Sequence, residues 1–431
     1  IAYIAAVLEK AGHEVKILDA IALNLTSQDM RHRIAEEVPD IVGITAMTSS
    51  IRGALEAAKL AKDSGAITVI GGSHLAIYPE ETLSYDFVDY GIIGEGEYPM
   101  LELVRAIESG QPIQNIKGLV YKEDSDVRIN DAYIVPELDK IPFPARYLLP
   151  MEKYSSIIGL HPVTTMISTR GCPYQCGFCF KGPSDRKYRT RSAQNVVDEM
   201  ELVVKKYGIR EIMFYDDTIA LKRGHIINIC NKILKRGLRV KWESPTRVDN
   251  VDLDLLKLMK KAGCIRLRYG VESGDSDILK LMKKSINLSM ARDVFRWTKQ
   301  AGIETFAYFM IAYIHETPQT IKKTISLAKN LNPDLIMFTI TTPYPGTHLY
   351  DMAQKEGFIE GDYWREFSLG LRDDRLPYLV PDAERWIRKA YRSFYFRPNY
   401  IVKRLFKIRS CNDIRKHIQA ARGLLAFRMK N

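Results

Sequence analysis

Short apolar runs rich in β-branched residues alternate with amphipathic stretches along most of the 431 residues. In the first third, residues 15–18, 41–45, 67–70 and 90–93 read as strands, and helical periodicity marks residues 1–10, 28–37, 50–62 and 99–109. Strands that alternate with helices predict an α/β fold, here opening with a doubly wound parallel sheet. Ligands of such sheets bind at the carboxyl ends of the strands. The loops at residues 45–50, 71–74 and 94–97 are therefore expected to form one rim. The helix at residues 1–10 opens without the strand and glycine-rich turn that ordinarily precede one, which implies a first strand upstream of Ile1.

Charged residues and Pro136, Pro142, Pro144 and Pro150 interrupt any period before the alternation resumes. Six further strands are expected at residues 164–168, 211–215, 240–243, 265–269, 304–310 and 335–340, with helices between them. A partial (β/α)6 TIM-like barrel is the natural closure, and its chemistry belongs on the loops after the strands. The expected division is a sheet domain over 1–135, a linker over 136–157, the barrel over 158–370 and a helical tail over 371–431.

Composition narrows the setting. Apolar content of 46% and charged content of 27% describe an ordinary globular chain. No apolar run approaches membrane-spanning length and no export signal opens the sequence, so the expected location is cytoplasmic. The net charge of +11 is concentrated: residues 371–431 hold 16 Lys/Arg against 5 Asp/Glu. Aromatics interleave with these cations from Trp386 to Lys407, as suits either a helical cap packed on the barrel or a tail that contacts a lipid surface.

The six cysteines are sparse, yet three of them fall in eight positions, which suits a metal site in a reducing compartment better than a disulfide framework. Cys172, Cys176 and Cys179 have the spacing Cys-x3-Cys-x2-Cys just after the first barrel strand. Three thiolates on one short loop can ligate three irons of a 4Fe-4S cluster and leave the fourth open to another ligand. Gly171 and Gly177 let the loop turn tightly, and Phe178 and Phe180 shield it from water. A structural zinc site wants a fourth ligand close by, whereas the next Cys or His downstream is His225. An electron-carrier cluster wants a fourth cysteine.

This loop, with an aromatic residue before its last cysteine, resembles the signature of the radical S-adenosylmethionine superfamily. The resemblance implies that the open iron chelates S-adenosylmethionine. Electron transfer then cleaves the sulfonium, and the resulting 5′-deoxyadenosyl radical abstracts hydrogen from an unactivated carbon. It also carries over Tyr215, Asp216 and Asp217 to the methionine amino group and Glu272 to the ribose, with Phe178 and Arg247 as further cofactor contacts. An Asp pair after a strand is equally a helix cap, and a lone Arg at a strand end is equally structural. Ala312 and His315 stand where relatives have glycine. His315 either reaches the substrate or faces solvent. The segment 342–347, with Pro343, Pro345 and Gly346, is expected to form a rigid wall.

The sheet domain resembles the Rossmann-like cobalamin-binding half of one branch of this superfamily. Gly71 and Gly72 allow backbone to approach a corrinoid, Thr45, Thr48 and Ser49 supply polar groups, and His74 and Glu95 stand on the same rim. No Asp-x-His-x-x-Gly segment, which supplies an axial histidine in some cobalamin proteins, occurs in the chain. The expected activity is methylation of an unactivated carbon in a small-molecule or lipid-like substrate, with an external flavodoxin or ferredoxin as electron donor and no nucleic-acid partner. The alternatives are an oxidative cyclase or rearranging enzyme, similar to the anaerobic magnesium-protoporphyrin ester cyclase, and a non-catalytic corrinoid or iron–sulfur carrier. A methylthio transferase wants three more cysteines in the first domain, and none precedes Cys172.

Overall fold

The computed structural model describes residues 1–124, 126–156 and 158–405. The first sheet runs in the order β1 (Ile41–Thr45), β2 (Ile67–Gly71), β3 (Tyr90–Ile92), β4 (Leu119–Glu123) and β5 (Asp126–Ile129). Its first three strands are parallel, with Ile41 opposite Ile67 and Val69 opposite Tyr90. The helices Ala2–Lys10 and Glu97–Ser109 bring Val7, Leu8, Leu103 and Val104 into one core, while the helix Ile51–Asp63 brings Ile51, Leu55 and Ala58 into another. Helices on both faces are what a doubly wound sheet requires.

Two features depart from the sequence reading. β4 and β5 add to the edge as an antiparallel hairpin, so the sheet is mixed. Leu119, Val120 and Tyr121 are buried there, and Asp124 takes the left-handed backbone that tight hairpins need. Residues 15–18 join no sheet. Val15 and Ile17 turn toward the core and Lys16 pairs with Glu37, but among the described residues β1 exchanges ladder bonds only with β2, and a strand needs a neighbour.

The second sheet contains β6 (Val163–Met166). After it, β7 (Thr169–Arg170) and β8 (Arg189–Thr190) pair separately as a small antiparallel ribbon. The sheet continues with β9 (Glu211–Phe214), β10 (Lys241–Thr246), β11 (Cys264–Glu272), β12 (Glu304–Ile311) and β13 (Leu335–Ile340). All six strands are parallel and their spatial order follows the chain, giving the expected six-strand partial barrel. Helices between the strands cover its outside. Ser192, Asp252, Asn287 and Thr317 cap four of them by accepting first-turn N–H groups.

β13 is an edge, and unpaired edge groups invite other strands. The helix Ala383–Tyr395 occupies it with a row of phenols. Tyr395 Oη takes the Ile336 N–H at 3.4 Å and donates to its carbonyl at 2.9 Å. Tyr391 does the same at Phe338, at 3.1 and 2.9 Å, and Tyr400 donates to the Asp334 carbonyl at 2.9 Å. Ile387, Ala390 and Phe394 are buried beneath them. In the described part of the basic tail the aromatic stripe thus packs on the barrel; residues 406–431 lie outside the described residues. Among the described residues no helix is long and apolar enough to cross a membrane.

Buried ion pairs fix the first sheet over the barrel. Glu95 accepts from Arg189 at 2.7 and 2.9 Å and meets Arg170 at 3.1 Å, while Arg170 also bonds Glu97 at 2.5 Å. On the opposite side Tyr78 Oη donates to Asp362 at 2.6 Å and Arg52 lies 4.1 Å over the Phe367 ring.

Candidate active site

The three-cysteine loop leaves β7 through Gly171, whose φ of +85° and position leave no room for a side chain: a Cβ there would lie 2.4 Å from the Lys187 carbonyl. The loop is pinned at both ends. Cys172 N–H donates to the Asp185 carbonyl at 2.7 Å, Gly177 N–H to the Met282 carbonyl at 2.8 Å, and the Gly177 carbonyl accepts from Leu349 at 2.8 Å. All three thiols are free.

Of the strand-end residues, only some reach the mouth of the barrel. Tyr215 and Asp217 are exposed there, and Asp217 feels the charge of Lys181. Asp216, between them, points inward. Its carboxylate accepts the Ser168 hydroxyl and N–H and, at 3.2 Å, the Thr169 N–H, and burial pushes its pKa up to about 6. It therefore joins the end of β9 to the start of the cysteine loop. Arg247 also turns to the loop, stacking on Tyr174 and bonding Asp249 at 2.9 and 2.7 Å. Glu272 ends β11 with a φ of +65° and bonds Lys284 Nζ at 3.1 Å; that ammonium stands 5.9 Å from the Phe178 ring centre. Lys284 was not legible in the sequence, because nothing local marks a lysine twelve positions beyond its partner.

Ala312 and His315 both have the left-handed backbone, at φ +64° and +63°, that glycine adopts without strain. His315 is about half exposed and pairs with Glu356 at 3.0 Å, so it faces solvent. Glu316 closes this turn by accepting the Tyr313 N–H at 3.1 Å, and burial raises its pKa to about 7. Gly346, at φ +70°, lets the wall 342–347 press on the Phe180 ring, which lies 2.9 Å from the place a Cβ would take.

On the first sheet, Gly72 has φ +107° and would place a Cβ 2.4 Å from the Ala46 carbonyl, so only glycine fits the turn after β2. Thr45 and Ser49 are exposed beside it. His74 is fully buried. One ring nitrogen meets Thr48 Oγ1 at 3.3 Å, the other has no partner, and burial lowers its pKa to about 4, leaving the ring neutral. Glu95, on the wall of the cavity between the two units, is held by its arginines and the Val135 N–H. A cavity of about 380 Å³ joins the two units: Gly94–Glu97 lines one side, and Thr169, Arg170, Tyr215 and Asp217 line the other.

Two family models match this chain: a B12 binding domain over residues 1–104 and the radical SAM superfamily over residues 166–328. An uncharacterized methyltransferase of Pyrococcus horikoshii is 35% identical over 94% of this chain and 89% of its own length. The chain belongs to the radical SAM superfamily. It carries the B12-binding unit ahead of the barrel, and the cofactors of this enzyme are a 4Fe-4S cluster, S-adenosylmethionine and cobalamin. An anaerobic magnesium-protoporphyrin IX monomethyl ester cyclase of Rubrivivax gelatinosus is 31% identical over 89% of this chain and 70% of its own. The fold matches the radical S-adenosylmethionine methyltransferase TsrM of Kitasatospora setae with a TM-score of 0.71 and 19% identity, over 82% of this chain and 74% of that one.

The residues in place suit these groups. Free soft thiols on a pinned loop are the donor set an iron–sulfur cluster takes. The Gly72 turn, the exposed Thr45 and Ser49 and the unpartnered His74 nitrogen provide close backbone and polar contacts of the kind a corrinoid needs.

Proposed function

We propose that this radical SAM enzyme transfers a methyl group to an unactivated carbon of a small-molecule or lipid-like substrate. The observation that carries the reading is the cavity between the two units, lined by the Gly94–Glu97 turn of the B12-binding unit and by Tyr215 and Asp217 at the mouth of the barrel. When bound, the cluster supplies the electron that cleaves S-adenosylmethionine, and cobalamin supplies the methyl carrier. In this reading Cys172, Cys176 and Cys179 hold the cluster, with Phe178 and Phe180 excluding water from it. Tyr215 and Asp217 face the methionine end of S-adenosylmethionine, where a carboxylate complements an ammonium, and Glu272, oriented by Lys284, faces the ribose. Asp216 and Arg247 position the loop. Thr45, Thr48, Ser49, Gly71, Gly72 and His74 line the corrinoid side.

Product mass with methyl-labelled S-adenosylmethionine tests the reading: a gain of one methyl group supports it. A second reading, oxidative cyclisation, has support in the similarity to the Rubrivivax cyclase, and an unmethylated, oxidised product selects it. A carrier role is excluded when reduced protein yields 5′-deoxyadenosine and Cys176→Ala does not. The electron donor is an external flavodoxin or ferredoxin, and the free cysteines fit a cytoplasmic setting.

A further inference from the structure

We propose that the outer face of the helices Ala383–Tyr395 and Pro398–Leu405 rests on an anionic lipid bilayer. The first of these helices turns Ile387, Ala390 and Phe394 to the barrel and fills the edge of β13 with its phenols. Arg385, Lys389, Arg392 and Phe396 recur every three or four positions on the opposite side, so they form one stripe. Packing of the apolar stripe on the barrel thus fixes this second stripe outward, and all four of its residues are exposed. The second helix is tied down by Arg397, which donates to the Lys329 carbonyl at 2.8 Å, and by Tyr400, which donates to the Asp334 carbonyl at 2.9 Å. Ile401 and Val402 are left on the outside, 42% and 50% exposed, beside a Phe396 that is 44% exposed.

The charge on this side is lopsided. The helices Pro318–Leu331 and Ala383–Tyr395, which pack on each other, hold seven Lys/Arg and one acid, Glu384. Glu384 is engaged by Arg375 at 2.8 Å and Tyr378 at 2.9 Å, and it reaches Arg388 at 3.4 Å; Lys323 is paired with Asp275 at 2.7 Å. Arg385, Lys389 and Arg392 have no carboxylate partner among the described residues. Asp382, the acid that precedes the helix, stands at the end away from Arg392 and Phe396. A merely solvated face mixes the two signs and keeps large apolar side chains out of water. Cations interleaved with exposed apolar groups on a helix that lies along the surface suit the headgroup region of an anionic membrane, which takes both. A nucleic acid would engage the cations alone, since Ile401 and Val402 offer no ring on which a base could stack.

Co-sedimentation of the full-chain holoenzyme with vesicles tests the proposal. Vesicles of equal parts phosphatidylserine and phosphatidylcholine should carry the protein down, far more than phosphatidylcholine alone, and the binding should weaken as salt rises. The R385E/K389E/R392E variant should partition about a hundredfold more weakly. The F396S/I401S/V402S variant should lose about tenfold, by an amount that salt does not change. All six side chains are exposed, so both variants should unfold at the wild-type temperature. K235E/R239E/K241E, beside β10, should bind as wild type does. Wild-type protein that stays in solution, or that binds equally at high salt or without phosphatidylserine, overturns the proposal. So does an equal loss in the variant beside β10, which would reflect net charge alone. Undiminished binding by F396S/I401S/V402S overturns it as well, because the cations would then form a polyanion site for a nucleic acid or an acidic protein. Partitioning needs neither cluster nor substrate, so failure here leaves the proposed reaction standing, and failure to form 5′-deoxyadenosine leaves this surface standing.

Discussion

The guanidinium of Arg247 lies 3.7 Å above the ring of Tyr174, so the turn after β10 grips the three-cysteine loop midway between Cys172 and Cys176. The same group donates to the Ser285 carbonyl at 3.0 Å, and Tyr174 Oη donates to Asn250 at 3.0 Å. Arg247→Met should cost about 2 kcal/mol, the size of a desolvated cation–π contact. Lysine in its place should recover only part of this, because it lacks the planar fork. Thermal unfolding reads the stability, and iron retained per chain after gel filtration reads the loop. Full iron retention in Arg247→Met would remove the positioning role.

Glu95 holds the two folding units together from the wall of the cavity between them. Its carboxylate is the counter-charge of Arg189, a guanidinium only 6% exposed. Removing one member of a buried pair strands the other, so Glu95→Gln should destabilise the protein by about 3 to 5 kcal/mol. Limited proteolysis should then cut between residues 130 and 160 at a protease level that leaves wild type intact.

The parts legible in the sequence are those written locally. A cysteine spacing, a glycine pair and a strand–helix alternation need only a few neighbouring positions, and the barrel, the cysteine loop and the Gly72 turn follow from them. Residues 15–18 alternate properly yet have no strand beside them, and alternation cannot report a missing neighbour. The partners of Asp216, Glu95 and Arg247 are equally invisible. The sequence marks charged residues at strand ends, but whether such a charge faces a ligand or a buried guanidinium depends on segments far along the chain. Glu95 meets an arginine 94 positions away.

Glu316 gives stability a distinct pH dependence. Its pKa in the folded protein, about 7, stands above the ordinary 4.5, so folding takes up a proton between these values. The stabilisation is complete below about pH 4.5 and declines as pH rises through 7, by at most about 3 kcal/mol. Glu316→Gln, neutral throughout, should match wild type near pH 5 and exceed it at pH 8. Urea unfolding at the two pH values measures the difference; parallel curves would mean that Glu316 titrates normally.

The two left-handed residues of the same turn should respond differently to glycine. His315 is exposed and its pairing with Glu356 is a surface contact of small value. His315→Gly should therefore release the backbone strain and stabilise by about 1 kcal/mol. Ala312 is fully buried, so Ala312→Gly loses a packed methyl worth about 0.8 kcal/mol while releasing similar strain, and should be nearly neutral. Chemical denaturation of both variants decides it. Equal gains would show that the Ala312 methyl contributes nothing to packing.

The phenol row on β13 makes a claim about why the tail carries tyrosine rather than phenylalanine. Tyr391 and Tyr395 each satisfy both edge groups of one β13 residue, whereas phenylalanine would fill the same space and leave Phe338 or Ile336 unpaired under a helix. An unsatisfied buried backbone group costs about 1 to 3 kcal/mol. Tyr391→Phe should therefore destabilise by at least that amount without loss of packing, and the double variant with Tyr395→Phe by more than either single variant, its excess over the sum measuring the coupling of two rings stacked 6.2 Å apart. Hydrogen exchange gives the local signature: the Phe338 amide should lose protection in Tyr391→Phe and the Ile336 amide should keep it. Uniform loss along β13 would instead mean that the helix has come away as a whole, and that its apolar face, not its hydroxyls, holds it.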